Sequence, residues 1–174
     1  KVNGLYNCIS LGLNYRMNEI SGAIGISQIK KFPKFLASRK KNFLYLSSLI
    51  DNNKNFKIVK PLKKNFKNSF YFLNIILENK IKLYRNEIIL LLKKKNIITS
   101  IYYPHPVPRL NYYKKKYNYS KNKFLNAEKF SDCSICFPIA PHVNNKMMKY
   151  MAETLNQVIL KIIIKYKIKW VKKE

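Results

Sequence analysis

The chain has 174 residues, enough for one domain with a real core, and its 35 Lys+Arg against 8 Asp+Glu give a formal net charge of +27. Such a charge invites a polyanion, but no nucleic-acid recognition signature accompanies it. The lysines share the sequence with abundant Asn, Ile, Phe and Tyr, residues that adenine- and thymine-rich codons favour, so base composition accounts for the excess and no nucleic-acid partner is expected.

In chain order, the first dozen residues carry no strong strand or cap signal, and with Lys1 in place of a methionine they read as an entry in mid-fold. From Met17 to Asp51 apolar residues recur at helical spacing, among them Ile20, Ile24, Phe35, Phe43 and Leu46. Pro33 cannot donate in a helix interior and suits a first turn, which predicts two helices. Ser21, Gly22, Ala23 and Gly25 cost helix propensity and predict close approach of another backbone.

Asp51 to Lys54 reads as a turn, Phe56 to Val59 as a short strand before Pro61, and Ser69 to Leu77 as a central strand. Leu83 to Lys95 repeats as a helix with three lysines in its last turn. Ile97 to Tyr103 reads as a strand that Pro104, Pro106 and Pro108 carry into an extended segment. The Lys114 to Lys116 run suits a solvated loop or helix end. Asn126 to Ser131 is a short helix, Ile135 to Pro138 a strand, and Asn144 to Ile164 an amphipathic helix capped by Asn144 or Asn145, with a fraying basic tail from Lys165. The sum is a small α+β domain behind a helical lead-in.

No uncharged apolar run approaches the ~20 residues that span a bilayer, so no membrane span is expected. Cys8, Cys133 and Cys136 include one close pair without a second, and the two histidines stand apart, so no metal site is expected. Such thiols suit a reducing compartment, the cytoplasm.

Three passages are more specific. Leu11-Gly12-Leu13-Asn14-Tyr15-Arg16-Met17-Asn18-Glu19 runs on into Ile20-Ser21-Gly22-Ala23-Ile24-Gly25. Thr99-Ser100-Ile101-Tyr102-Tyr103-Pro104-His105-Pro106-Val107-Pro108 follows, and then Asn126-Ala127-Glu128-Lys129 through Phe137-Pro138-Ile139-Ala140-Pro141-His142. In order and spacing they resemble the Gly-x-Asn-Tyr-Arg-Met, Tyr-Tyr-Pro-x-Pro, and Asn-Ala-Glu with Leu-Pro-x-x-Pro-His segments of the DegT/DnrJ-type nucleotide-sugar aminotransferases, from about Asn3 to about Ile159.

The resemblance implies the small C-terminal domain of the type I pyridoxal-phosphate (PLP) transferase fold. It divides the chain into the end of a large cofactor-binding domain (1–32), a linking helix (33–55), the small α+β domain (56–164) and a basic tail (165–174). It implies pyridoxal 5'-phosphate as cofactor, a homodimer whose active sites straddle the interface, a nucleotide-linked keto-sugar as substrate, and an amino-acid donor such as glutamate. The setting it implies is cell-surface polysaccharide biosynthesis, lipopolysaccharide included.

By the same resemblance Asn14 reaches the cofactor phosphate of the neighbouring subunit, with Arg16 a second candidate for that anion. On the residues alone Asn14 suits a helix cap and Arg16 a salt bridge with Glu19. Tyr103 and His105 are candidates for substrate contact, although a loop histidine also suits plain exposure. Where many members carry a Pro-Leu-His-like sequence, this chain has Val107, Pro108 and Arg109, and Arg109 is a candidate for a sugar-nucleotide phosphate or for solvent. His142 reads as structural.

No lysine here matches the family's Schiff-base position: Lys30 and Lys31 come too late, so no catalytic residue is assigned and the chain alone is expected to lack transaminase activity. A dehydratase relative, with histidine for that lysine, shares these motifs. The rival readings are a basic protein binding nucleic acid or an anionic surface through lysines and 13 tyrosines, and an inactive decayed fragment.

Overall fold

A single helix, α1, runs from Glu19 to Ile50. The structure, a computed structural model, describes residues 13, 15–60, 65–120 and 123–168. Two helices were expected here, broken at Pro33. Instead Pro33 lies inside α1 and is exposed, so the one carbonyl its ring leaves unpaired faces water, and the apolar repeat on both sides sustains the helix. The chain divides after Pro33 into two compact units, residues 1–33 and 34–174.

In the first unit the described residues are largely exposed. An added Cβ at Gly22 or Gly25 meets nothing within 4 Å, so the close packing expected of these small residues does not occur among the described residues.

The second unit holds one apolar core. The carboxy-terminal half of α1 contributes Phe43, Leu46 and Ile50 from one face. Strands β1 (Phe56–Ile58), β2 (Leu73–Leu77) and β3 (Ser134–Phe137) form an antiparallel sheet in that order, with Phe56 opposite Leu77 and Leu73 opposite Phe137. Alternation along β2 sends Leu73, Ile75 and Leu77, all fully buried, to the core face, and Asn74 to the other, beside Cys136. The central strand begins at Leu73 rather than Ser69. An Asn68 side chain that accepts from the Phe70 N–H turns the backbone there, and Phe70 has a left-handed φ of 47°.

Among the described residues the unit also has four α-helices, α2 (Arg85–Lys94), α3 (Asn111–Tyr117), α4 (Leu125–Cys133) and α5 (Asn145–Lys165), and a 3-10 helix over Asn79–Tyr84. Asn144 caps α5 by accepting from the Met147 N–H at 3.0 Å, and α5 packs against α2, burying Met148, Leu155, Ile159 and Ile162. The chain continues into a closed turn past Lys165, and residues 169–174 of the tail expected to fray lie outside the described residues. Ile168 N–H closes on the Ile163 carbonyl at 3.0 Å, and the Ile168 side chain packs on the core.

The strand expected over Ile97 to Tyr103 is absent, for two reasons. Asn96, at φ 58°, ends α2 in a left-handed cap, with Asn96 N–H to Lys93 and Ile97 N–H to Leu92. Beyond it only Ser100 reaches the sheet, exchanging two hydrogen bonds with Cys136 before the prolines begin. Helix α3 was not among the expected elements, but its lysine run, read as a solvated loop or helix end, lies in the last turn of α3, and none of its residues is buried.

Candidate functional site

Past Ser100 the chain leaves the sheet edge and crosses in front of α4, and the space between is a cleft of about 850 Å³. Tyr103, His105 and the three prolines form one wall, and Asn126, Ala127 and Phe130 of α4 the other. The prolines fix φ and remove donors, so this wall stays extended without a strand partner. It ends in a 3-10 turn over Val107–Arg109, held by Arg109 N–H to Pro106 (2.9 Å) and Leu110 N–H to Val107 (3.1 Å). Pro106 is buried, which anchors the segment and leaves His105 exposed on the rim.

At the base, Tyr102 stacks on Phe72 with centroids 4.9 Å apart and planes 16° apart. The lining is mostly apolar, relieved by the His105 imidazole, the Asn126 amide and the Tyr hydroxyls. A concave, apolar wall with a few polar groups is the usual make-up of a small-molecule site.

Tyr103 and His105 therefore lie together on this cleft, whereas Arg109 does not line it. Its guanidinium donates to both oxygens of Asp132 (2.8 and 2.9 Å) and to Glu128 (2.9 Å). Those bonds, Asp132 first and Glu128 second, raise its pKa above the ordinary guanidinium value. Glu128 and Asp132 stand one turn apart on α4. That acidic pair at helical spacing was readable in the sequence and is the signal that the reading of Arg109 missed, as it also missed Asn126 and Phe130 as cleft residues.

Asn14 lies outside the described residues. Arg16 is exposed just ahead of α1 and, among the described residues, forms no ion pair with Glu19. The cap at this helix start belongs to Asn18, whose side chain accepts from Ser21 N–H at 2.8 Å. His142 is exposed in the turn before α5. Cys133 and Cys136 are buried free thiols. Burial raises the pKa of both, and for Cys136 a hydrogen bond with the Tyr102 backbone opposes the rise. Protonated and enclosed, neither thiol is a nucleophile at neutral pH.

The chain is similar to known proteins along most of its length. The UDP-4-amino-4,6-dideoxy-N-acetyl-beta-L-altrosamine transaminase of Helicobacter pylori is 28% identical over 146 residues, 84% of this chain and 38% of that protein. The dTDP-4-amino-4,6-dideoxy-D-glucose transaminase of Shigella dysenteriae is 24% identical over 148 residues, 85% of this chain and 40% of that one. Among solved structures, the Helicobacter pylori aminotransferase PseC, involved in pseudaminic acid biosynthesis, superposes with a TM-score of 0.77 at 26% identity, covering 92% of this chain and 42% of that one. The chain thus spans about two fifths of the length of these relatives. The sequence pattern of the DegT/DnrJ/EryC1/StrS aminotransferase family extends over residues 2–156, and the chain belongs to that family.

Proposed function

We propose that this chain is the sugar-nucleotide-facing part of a pyridoxal 5'-phosphate-dependent aminotransferase, a small C-terminal domain of the type I fold with a helical lead-in, acting on a nucleotide-linked keto-sugar with glutamate as amino donor. Family membership over residues 2–156 carries the reading, and the transaminase names of both relatives support it. A cytoplasmic homodimer serving cell-surface polysaccharide biosynthesis is part of the same proposal. Among the described residues no helix is long and apolar enough to cross a membrane.

The residues ahead of α1 fit the cofactor's phosphate. Arg16 offers an exposed guanidinium, without an ion pair among the described residues, beside the first-turn N–H groups of a helix, which is the donor chemistry a phosphate dianion takes. Asn14 and Arg16 would hold that phosphate in the partner subunit's site. When bound, pyridoxal phosphate supplies the reactive carbonyl and the electron sink that amino transfer needs.

The cleft residues do the rest. His105 and Asn126 hydrogen-bond the phosphate and sugar oxygens, Tyr103 covers the sugar, and the proline and Phe130 surfaces keep water from it. The test is a spectrum of the whole protein with its cofactor. Glutamate is expected to discharge a near-visible band with release of 2-oxoglutarate, and a UDP- or dTDP-linked keto-sugar to restore it. A protein with no such band and no 2-oxoglutarate overturns the reading.

A further inference from the structure

The proline segment and α4 face each other across the cleft, yet no backbone hydrogen bond among the described residues joins these two walls. Their polar link is one side chain. Arg109 leaves the end of the proline wall and places Nη1 on both oxygens of Asp132 and Nη2 on Glu128, spanning a full turn of α4. Its own backbone is fixed by the N–H bond to the carbonyl of Pro106, the buried residue of the proline wall. The clamp is therefore rigid at both ends, and the guanidinium fork suits two carboxylates in a way that an ammonium does not.

We propose that Arg109 is a positioning residue, which sets the separation of Pro106–Pro108 from Asn126–Phe130 and so the aperture offered to a nucleotide-linked sugar. The ligand class rests on the function proposed above; the clamp rests on the geometry alone. The competing role for Arg109, direct contact with a ligand phosphate, makes the opposite prediction for its partners. If Glu128 and Asp132 only occupy a phosphate-binding arginine, neutralising them frees it and tightens binding. If they anchor a clamp, neutralising them loosens the wall and weakens binding.

The experiment compares the full chain with Arg109→Met, Arg109→Lys and the double variant Glu128→Gln/Asp132→Asn. UDP-N-acetylglucosamine binding is measured by calorimetry, and amide hydrogen exchange is followed at Arg109 and Leu110, whose N–H bonds define the turn at the end of the wall. Arg109→Met and the double variant are expected to weaken binding about fivefold and to speed these two amides by a similar factor, the scale of a well-formed exposed ion pair with bidentate geometry. Arg109→Lys should recover part of both, and α5 amides should not change, which separates the clamp from global destabilisation. Tighter binding by the double variant, or unaltered exchange at Arg109 and Leu110, overturns the proposal. If the unmodified chain takes no sugar nucleotide, the ligand reading fails by itself and the exchange rates still decide the clamp.

Discussion

Asn42 is 7% exposed within an apolar core, and its amide nitrogen donates to the carbonyls of Ile139, Ala140 and Val143. This one side chain ties α1 to the Pro-x-x-Pro-His turn after β3, satisfying carbonyls that no helix or strand would pair. Asn42→Leu removes this donor from the buried Ile139 and Val143 carbonyls, while Ala140 keeps its bond from the Val143 N–H, and is expected to lower stability by about 1–3 kcal/mol, read as a drop in the urea midpoint. The sequence hid this role, since an Asn beside Phe43 on a helical repeat reads as the solvent side. Arg109 was hidden for a similar reason: its lysine-rich surroundings suggest exposure, and its two carboxylate partners lie on another helix. The exposed, extended placement of Tyr103 and His105 was legible because neighbouring prolines constrain the backbone whatever the tertiary context, while their contact with substrate belongs to the proposal.

Glu78 shows how charge is used at this scale. Burial alone raises the pKa of its carboxyl, but hydrogen bonds and charge from Lys57 and then Lys129 outweigh that and leave it below the ordinary 4.5. A depressed acid contributes stability above its unfolded value and loses it as pH falls through its folded value. The stability gap between the protein and Glu78→Gln is therefore expected to hold at neutral pH and to close below pH 4.5, measured by urea unfolding across pH.

At the element scale, α5 followed from its sequence because a strong 3.6-residue repeat and a capping Asn agree. The segment from Ile97 to Tyr103 did not, because its β-branched residues meet only one bridge at the sheet edge while Asn96 closes α2 behind them. That cap makes a prediction. Asn96 sits at φ 58°, a conformation that costs an ordinary L-residue about 1–2 kcal/mol, so Asn96→Val should destabilise by about that much and Asn96→Gly should not. Thermal melts of the two variants decide it. Pro33 teaches the complementary lesson, since a proline on an exposed helix face marks a lost hydrogen bond without ending the helix.

For the whole molecule, two surfaces matter. The described residues of the first unit expose Leu13, Tyr15, Met17, Ile20, Ile24 and Ile29, each more than half accessible. Apolar surface of that extent suits an interface, which is what the proposed dimer requires. Ile20→Asp/Ile24→Asp is expected to shift the chain toward monomer in light scattering at matched concentration. The second surface is basic and aromatic. Around α3 the rings of Tyr113, Tyr117 and Tyr119 stack on one another, and Lys116 and Lys123 lie over the Tyr and Phe124 faces, which makes this the surface on which the rival nucleic-acid reading would act.

The most direct measurement is nuclear magnetic resonance mapping of the chain against UDP-N-acetylglucosamine and, separately, a single-stranded oligonucleotide. Saturable shifts from the sugar nucleotide at Tyr103, His105, Asn126 and Phe130, persisting at high salt, are the expected result. Shifts confined to the lysines and tyrosines of α3, given by the oligonucleotide and abolished by salt, would contradict it.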